Sequence, residues 1–132
     1  MAEIECVVAT PEGPAFQGQV ASVVVPALDG ELGILPKHAP LVAALGSGEL
    51  RVDDGAKKSR YFLDGGFVQV LNNRVTVLAT DVEAVETIDR ADAERRLAEA
   101  RAERPAPGSS FEELDAHLAR VRAAQKRLQL AS

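Results

Sequence analysis

One cysteine, no tryptophan, one tyrosine and four phenylalanines in 132 residues set the first limits on this chain. Cys6 has no partner for an internal disulfide, which fits a reducing compartment. Aromatic side chains make up 4% of the sequence, too few for the stacking platform of a sugar- or peptide-binding sandwich. No apolar run approaches the ~20 residues of a membrane span, and the N-terminal MAEIE is acidic where a secretory leader would be basic. A cytoplasmic chain is therefore expected, with any membrane link made through a partner. The net charge of -5 argues against a nucleic-acid binder, which would carry a basic excess.

Catalytic patterns are missing too. His38 and His117 have no Cys or His at metal-ligand spacing, so no metal site is expected. Gly65-Gly66 lacks the Lys and Ser/Thr of a phosphate loop and leads into a strand, where a glycine pair more often marks a bulge or turn. Glu83, Glu86 and Asp89 form an acidic cluster of the kind that solvated surface carboxylates make. Cys6 falls on the apolar face of a strand and reads as a small core residue. These residues describe an interaction protein without a cofactor, not an enzyme.

What is present divides in two. A chain of this length is one domain, or a small domain with an appendage, and buries about two-thirds of its unfolded surface without staples. Residues 1–87 carry 6 Lys/Arg against 12 Asp/Glu, whereas residues 88–132 carry 9 against 8. The hydrophobic period changes at the same place. EIECVVA puts Ile4, Cys6 and Val8 on one face and Glu3 and Glu5 on the other. QVASVVVP is apolar on both faces, and Pro26 is expected to end it. ELRV and RYFL flank DDGAKK, a hairpin signal at Asp54-Gly55, and GFVQVL and RVTVLAT flank Asn72-Asn73, a second. Eight to ten short strands at this spacing predict an antiparallel β-sandwich over residues 1–87.

From Ile88 the pattern is helical. DRADAERRLAEARAERP is rich in Ala, Arg and Glu and stops at Pro105; Ser110-Phe-Glu-Glu113 is a capping box that opens a second helix. Phe111, Leu114, Leu118, Val121, Ala124 and Leu128 recur at three- and four-residue steps as one apolar stripe. Acidic residues at its start and basic ones towards its end suit the helix dipole. The first helix offers little apolar surface beyond Leu97 and alanines. A helical hairpin over 88–132 follows, either docked on the sandwich or held weakly enough to extend against a partner.

GELGILPKHAPLV, Gly30–Val42, fits neither pattern: too broken by proline for a helix or central strand, too apolar for an idle loop. With VVVPALDGELGILPKHAPLV (23–42), GSGELRV (46–52) and FLDGGFVQVLNNRVTVLA (62–79) in this order, and a helical hairpin after them, the chain resembles the epsilon subunit of bacterial F-type ATP synthases. The resemblance covers essentially the whole chain, and the Gly33-Ile34-Leu35-Pro36-x-His38-Ala39-Pro40 run is its most specific part.

The resemblance implies a ten-stranded sandwich between the gamma subunit and the polar loops of the membrane c-ring, followed by a regulatory helical hairpin. It implies a non-catalytic rotor subunit that couples c-ring rotation to ATP synthesis, placed peripherally on the cytoplasmic face of the bacterial inner membrane. Contact with the c-ring falls on Glu31 and His38, unless His38 merely satisfies a turn. Gly33, Ile34, Leu35, Pro36, Pro40 and Leu41 would shape the segment and anchor it. The hairpin could extend into the catalytic head and block ATP hydrolysis, with Arg120, Arg122, Lys126 and Arg127 meeting acidic helices of the alpha and beta subunits, or these charges simply suit a helix C-terminus. Some members bind ATP through an Ile/Leu-Asp-x-x-Arg-Ala motif. Here Ile88, Asp89 and Ala93 match it, but Asp92 stands where the arginine belongs, and a carboxylate repels phosphate. Weak ATP binding or none is expected, which counts against the alternative of a free-standing ATP-sensing module.

Overall fold

The computed structural model describes residues 3–131. Valine-rich alternation builds eight strands: β1 Ile4–Thr10, β2 Gly13–Val20, β3 Ser22–Ala27, β4 Gly30–Ile34, β5 Leu41–Asp53, β6 Lys58–Leu71, β7 Arg74–Leu78 and β8 Val82–Ala84. A 3-10 turn, Val85–Thr87, leads to helices α1 Arg90–Ala102 and α2 Phe111–Leu130. Contacts cluster into two units, residues 1–84 and 85–132.

In the first unit the strand order is β2-β1-β7-β6-β5-β3-β4, with β8 beside β6. Neighbours run antiparallel except β1 and β7, which pair in parallel from Glu5↔Arg74 to Ala9↔Leu78. Strands β1 to β7 all send side chains into one core that includes Ile4, Val8, Val20, Val23, Ile34, Leu50, Leu63, Val68 and Val75, each 0% exposed. A single hydrogen-bonded sheet can enclose a common core only by folding over itself, and it does so along β5 and β6. The expected ten strands are eight because these two, of 13 and 14 residues, run unbroken from one layer into the other.

That passage is accompanied by a change of side-chain phase. The inward residues of β5 are Leu41, Ala43 and Leu45 in its first half and Leu50 and Val52 in its second; in β6 they are Leu63 and then Val68 and Val70. The odd-to-even switch falls at the glycines. Gly65 and Gly66 hold φ of 78° and 130°, open to glycine and costly for anything else. A Cβ on Gly66 would also lie 2.1 Å from the Leu78 carbonyl oxygen.

Turn chemistry follows the sequence. Asn72 and Asn73, φ 52° and 61°, form the two-residue β6–β7 hairpin, and Asp54 Oδ1 accepts from the N–H groups of Ala56 (2.9 Å) and Lys57 (2.6 Å) in the β5–β6 loop. Pro26 does not end its strand. It lies inside β3, paired with Glu31, at the place where the β3–β5 register shifts between Val24 and Ala27, and a bulge tolerates the missing N–H.

In the second unit Asp89 caps α1, its Oδ1 accepting from Ala91 N at 2.9 Å, and Ser110 Oγ caps α2, accepting from Glu113 N at 3.2 Å. The stripe expected along α2 is only half covered: Phe111, Leu114 and Leu118 are 81%, 45% and 53% exposed. The register explains it. Arg127 meets Asp92 at 3.1 Å and Arg120 approaches Glu103, the α1 C-cap, at 3.8 Å, so α2 before about residue 120 lies past the end of α1.

Replacing Gly66 with alanine should cost on the order of 3 kcal/mol, since neither its φ nor the Leu78 carbonyl leaves room for a Cβ. Urea unfolding of the variant should show a fall in midpoint with the slope little changed. Cys6 is fully buried, and burial pushes its thiol up to about 12. Because the folded pKa is the higher one, this group contributes stability below about pH 8.5 that is lost as pH rises towards 12. Replacing Cys6 with alanine should therefore flatten part of the alkaline fall in stability, and wild-type Cys6 should resist iodoacetamide at pH 8 until urea exposes it.

Candidate functional site

β4 is an edge strand, hydrogen-bonded to β3 alone, and begins at Gly30, whose φ of 130° closes the turn from Ala27. Glu31, on this edge, is not a loose carboxylate. Arg51 Nη1 donates to its Oε2 at 2.7 Å and to Glu49 Oε1 at 2.9 Å, and Arg60 Nε reaches Glu49 Oε2 at 2.7 Å. Burial pushes the Glu49 carboxyl up, but the bonds and charges of Arg51 and Arg60 outweigh it and hold it below the usual carboxylate value. This chain of charges fixes the Glu31 side chain while leaving it 59% exposed.

Beyond β4, Leu35 to His38 form a tight turn in which His38 N donates to Leu35 O at 3.2 Å. Pro36 supplies the first central φ, and Lys37 holds the second at 65°, the arrangement of a type II turn with lysine where glycine is usual. The exception has a partner: Lys37 N donates to Asn73 Oδ1 at 2.8 Å, while Asn73 Nδ2 donates to Glu3 O at 2.6 Å and Asn73 O accepts from Glu5 N at 3.2 Å. Asn73 thus ties the turn to β1 and to the β6–β7 hairpin. His38 Nδ1 lies 2.7 Å from the Ala39 carbonyl oxygen, which can only accept, so Nδ1 carries the proton and Nε2 is left to act elsewhere.

The anchors sort by exposure. Ile34 is 0% exposed within the core, and Leu41 is half-buried against it. Leu35 is not an anchor: at 63% exposed it stands outward, because alternation after the inward Ile34 turns the next side chain away. Pro36 is half-buried, and Gly33 and Pro40 are exposed. Sequence reading missed Asn73, Lys37 and Arg51, whose roles arise between strands distant in the chain. It also missed an apolar patch. Phe67 (58% exposed) pairs with Ala44 on one side and Leu78 (55%) on the other, with Val42 (70%) two residues along β5. A phenylalanine in the outward phase of FVQVL was the available signal.

In the helical unit the four basic residues separate. Arg122 and Lys126 are exposed, and Arg120 is exposed beside Glu103. Arg127 is not available to a partner in this conformation, being 7% exposed and bonded to Asp92 between the helices. The residues matching the ATP motif are engaged in structure: Ile88 and Ala93 are buried, and the Asp89 carboxylate caps α1. Asp92 is held by arginines, Arg95 first, which keep its carboxyl below the usual range. Among the described residues no group of three or more His, Cys, Asp or Glu could hold a metal, and no helix is long and apolar enough to cross a membrane.

Residues 3–85 match the family described as the ATP synthase delta/epsilon chain, beta-sandwich domain. The ATP synthase epsilon chain of Desulforamulus reducens is 44% identical over 116 residues, 86% of this chain and 84% of that one. That of Dehalococcoides mccartyi is 37% identical over 134 residues, 96% of each. Among solved structures, a chain of the Euglena gracilis mitochondrial ATP synthase (OSCP/F1/c-ring, rotational state 1) superposes with a TM-score of 0.80 at 26% identity, covering 96% of this chain and 79% of that one. A chain of the Tetrahymena thermophila mitochondrial enzyme's central stalk and c-ring has the same fold, TM-score 0.67 at 16% identity, covering 97% and 96%. A free-standing ATP sensor is not favoured beside these relatives. Helices and strands alike are covered by the match, and the chain belongs to the ATP synthase delta/epsilon chain family as a non-catalytic member.

Proposed function

We propose that this chain works in the rotor of a bacterial F-type ATP synthase, passing c-ring rotation to the gamma subunit, on the cytoplasmic face of the inner membrane and held there only through the ring. The observation that carries the reading is the clamped turn at Pro36–His38. A contact that transmits torque must not yield, and here the backbone is fixed by two prolines, by Asn73 and by the Glu31–Arg51 pair before any partner arrives. Glu31 and His38 then offer an exposed carboxylate and an imidazole nitrogen to polar loops of the c-ring. Pro40 leads directly into β5, whose Val42 opens the apolar patch with Phe67 and Leu78. Contiguous exposed apolar side chains of this kind suit a lasting protein interface, and we assign the patch to gamma. Ring contact and shaft contact are joined by the short run from His38 to Val42.

We further assign the helical unit a regulatory role, in which Arg122 and Lys126 meet acidic surfaces of the catalytic head. Arg127 joins them only if α1 and α2 separate.

Binding of Phe67→Asp to purified gamma subunit should be at least tenfold weaker, about 1.4 kcal/mol, with the fold intact by circular dichroism. A double Glu31→Ala, His38→Ala variant should keep gamma binding and lose proton-driven ATP synthesis; unchanged synthesis would remove these residues from the ring contact. Ending the chain at Thr87 should raise ATP hydrolysis by the assembled soluble head several-fold, and an unchanged rate would make the helices structural. Calorimetric titration of the full chain with ATP should show no binding in the micromolar range.

A further inference from the structure

α1 and α2 share little apolar surface: Ala93 and Leu97 on one and Ala123 on the other are the buried apolar residues they contribute. With them is Arg127, a guanidinium 7% exposed, and a charge so withdrawn from water requires an anion and directed hydrogen bonds. Asp92 supplies them, its Oδ2 accepting from Arg127 Nη2 at 3.1 Å. The same oxygen lies 3.0 Å from Arg96 Nε, and Arg95 Nη2 bonds the other, Oδ1. Three arginines, two from α1 and one from α2, thus converge on one carboxylate in the first turn of α1, where the helix dipole also favours negative charge. Arg95 also bonds Glu99 at 2.8 Å, a second carboxylate at the edge of the cluster. Planar forked donors gathered in this way are the chemistry by which proteins hold phosphate and carboxylate groups.

We propose that Arg95, Arg96 and Arg127 form an oxyanion cradle that the Asp92 carboxylate fills from within, so that an internal anion, and not a soluble one, latches α1 to α2. The latch concerns only the pairing of the two helices and stands whether or not they regulate a catalytic head. The hairpin of the intact chain is indifferent to phosphate, and removing the Asp92 carboxylate both loosens the helices and opens the cradle to a small oxyanion.

Hydrogen exchange of the full-length chain, read peptide by peptide, tests this with inorganic phosphate as the probe and sodium chloride at matched ionic strength as the control. In Asp92→Ala and the near-isosteric Asp92→Asn, amides in residues 93–102 and 123–130 should exchange at least tenfold faster than in the wild type. Those in β1 to β7 should not change, which separates unlatching from failure to fold. Phosphate should slow exchange in Asp92→Ala saturably, leave the wild type unaffected, and have no effect once Arg127→Ala is added. The proposal is overturned if both Asp92 variants exchange like the wild type, if phosphate does no better than chloride, or if protection by phosphate persists without Arg127.

Discussion

The ladder between β5 and β6 is the constraint on which the rest of the first unit depends. It keeps one register from Leu41↔Val70 to Asp53↔Lys58, passing over only Gly46 and Gly65, so one pair of strands serves both layers of the sandwich. Along both strands the inward and outward phases exchange where they cross between layers. Gly65 and Gly66 absorb that exchange in two positive-φ steps. The neighbouring strands are stacked from there: β7 and β1 on the β6 end of one layer, β3 and β4 on the β5 end of the other. Moving the phase switch by one residue would turn Val68 and Val70 outward and Phe67 inward, dissolving the core and the exposed patch together.

The same ladder places the clamp. The turn at Asn72-Asn73 closes the end of β6, and the side chain of Asn73 reaches back to Lys37 and Glu3. One amide therefore does three jobs: it tolerates a left-handed backbone, it receives the N–H that a positive-φ lysine presents, and it donates to β1. Proline limits the unfolded alternatives of the segment, and the asparagine selects one among those that remain. A segment prepared in this way loses little entropy when it meets a partner, which is what distinguishes a bearing surface from a flexible recognition loop.

How far the sequence discloses this follows from the range of each interaction. Period-two alternation, the Asn-Asn and Asp-Gly hairpins and the Ser110 cap are decided within a few residues, and each was legible. Asp89, the α1 cap, reads instead as one of a cluster of surface carboxylates. The signature segment was legible too, though through resemblance more than through physics. What escaped was settled across long separations. Pro26 reads as a strand end until β5 is seen to bulge opposite it. Leu35 reads as an anchor by composition, although the phase set by Ile34 sends it outward. Asn73 shows only its turn preference in the sequence, because Lys37 and Glu3 lie 36 and 70 residues away. Arg127 reads as a surface charge until its register with Asp92, 35 residues earlier, buries it.

The two units also rest on different forces. Burial of branched aliphatic side chains holds the sandwich, and such burial is non-directional and needs no paired charge. The helices have few such contacts and depend on caps, on pairs such as Arg90–Glu94 at 3.2 Å along exposed faces, and on the Arg127–Asp92 bond between them. Exposed pairs contribute little individually and are screened by salt, whereas a withdrawn arginine with its partner removed is strongly unfavourable. The hairpin therefore has a narrow basis: ionic contacts such as Arg127–Asp92 and Arg120–Glu103 join the helices, and little apolar surface is buried beside them. Phe111, Leu114 and Leu118 lie uncovered beyond the end of α1. The helical unit thus rests chiefly on charge, while the sandwich, with its phase fixed by glycine and its turn fixed by asparagine, rests on packing.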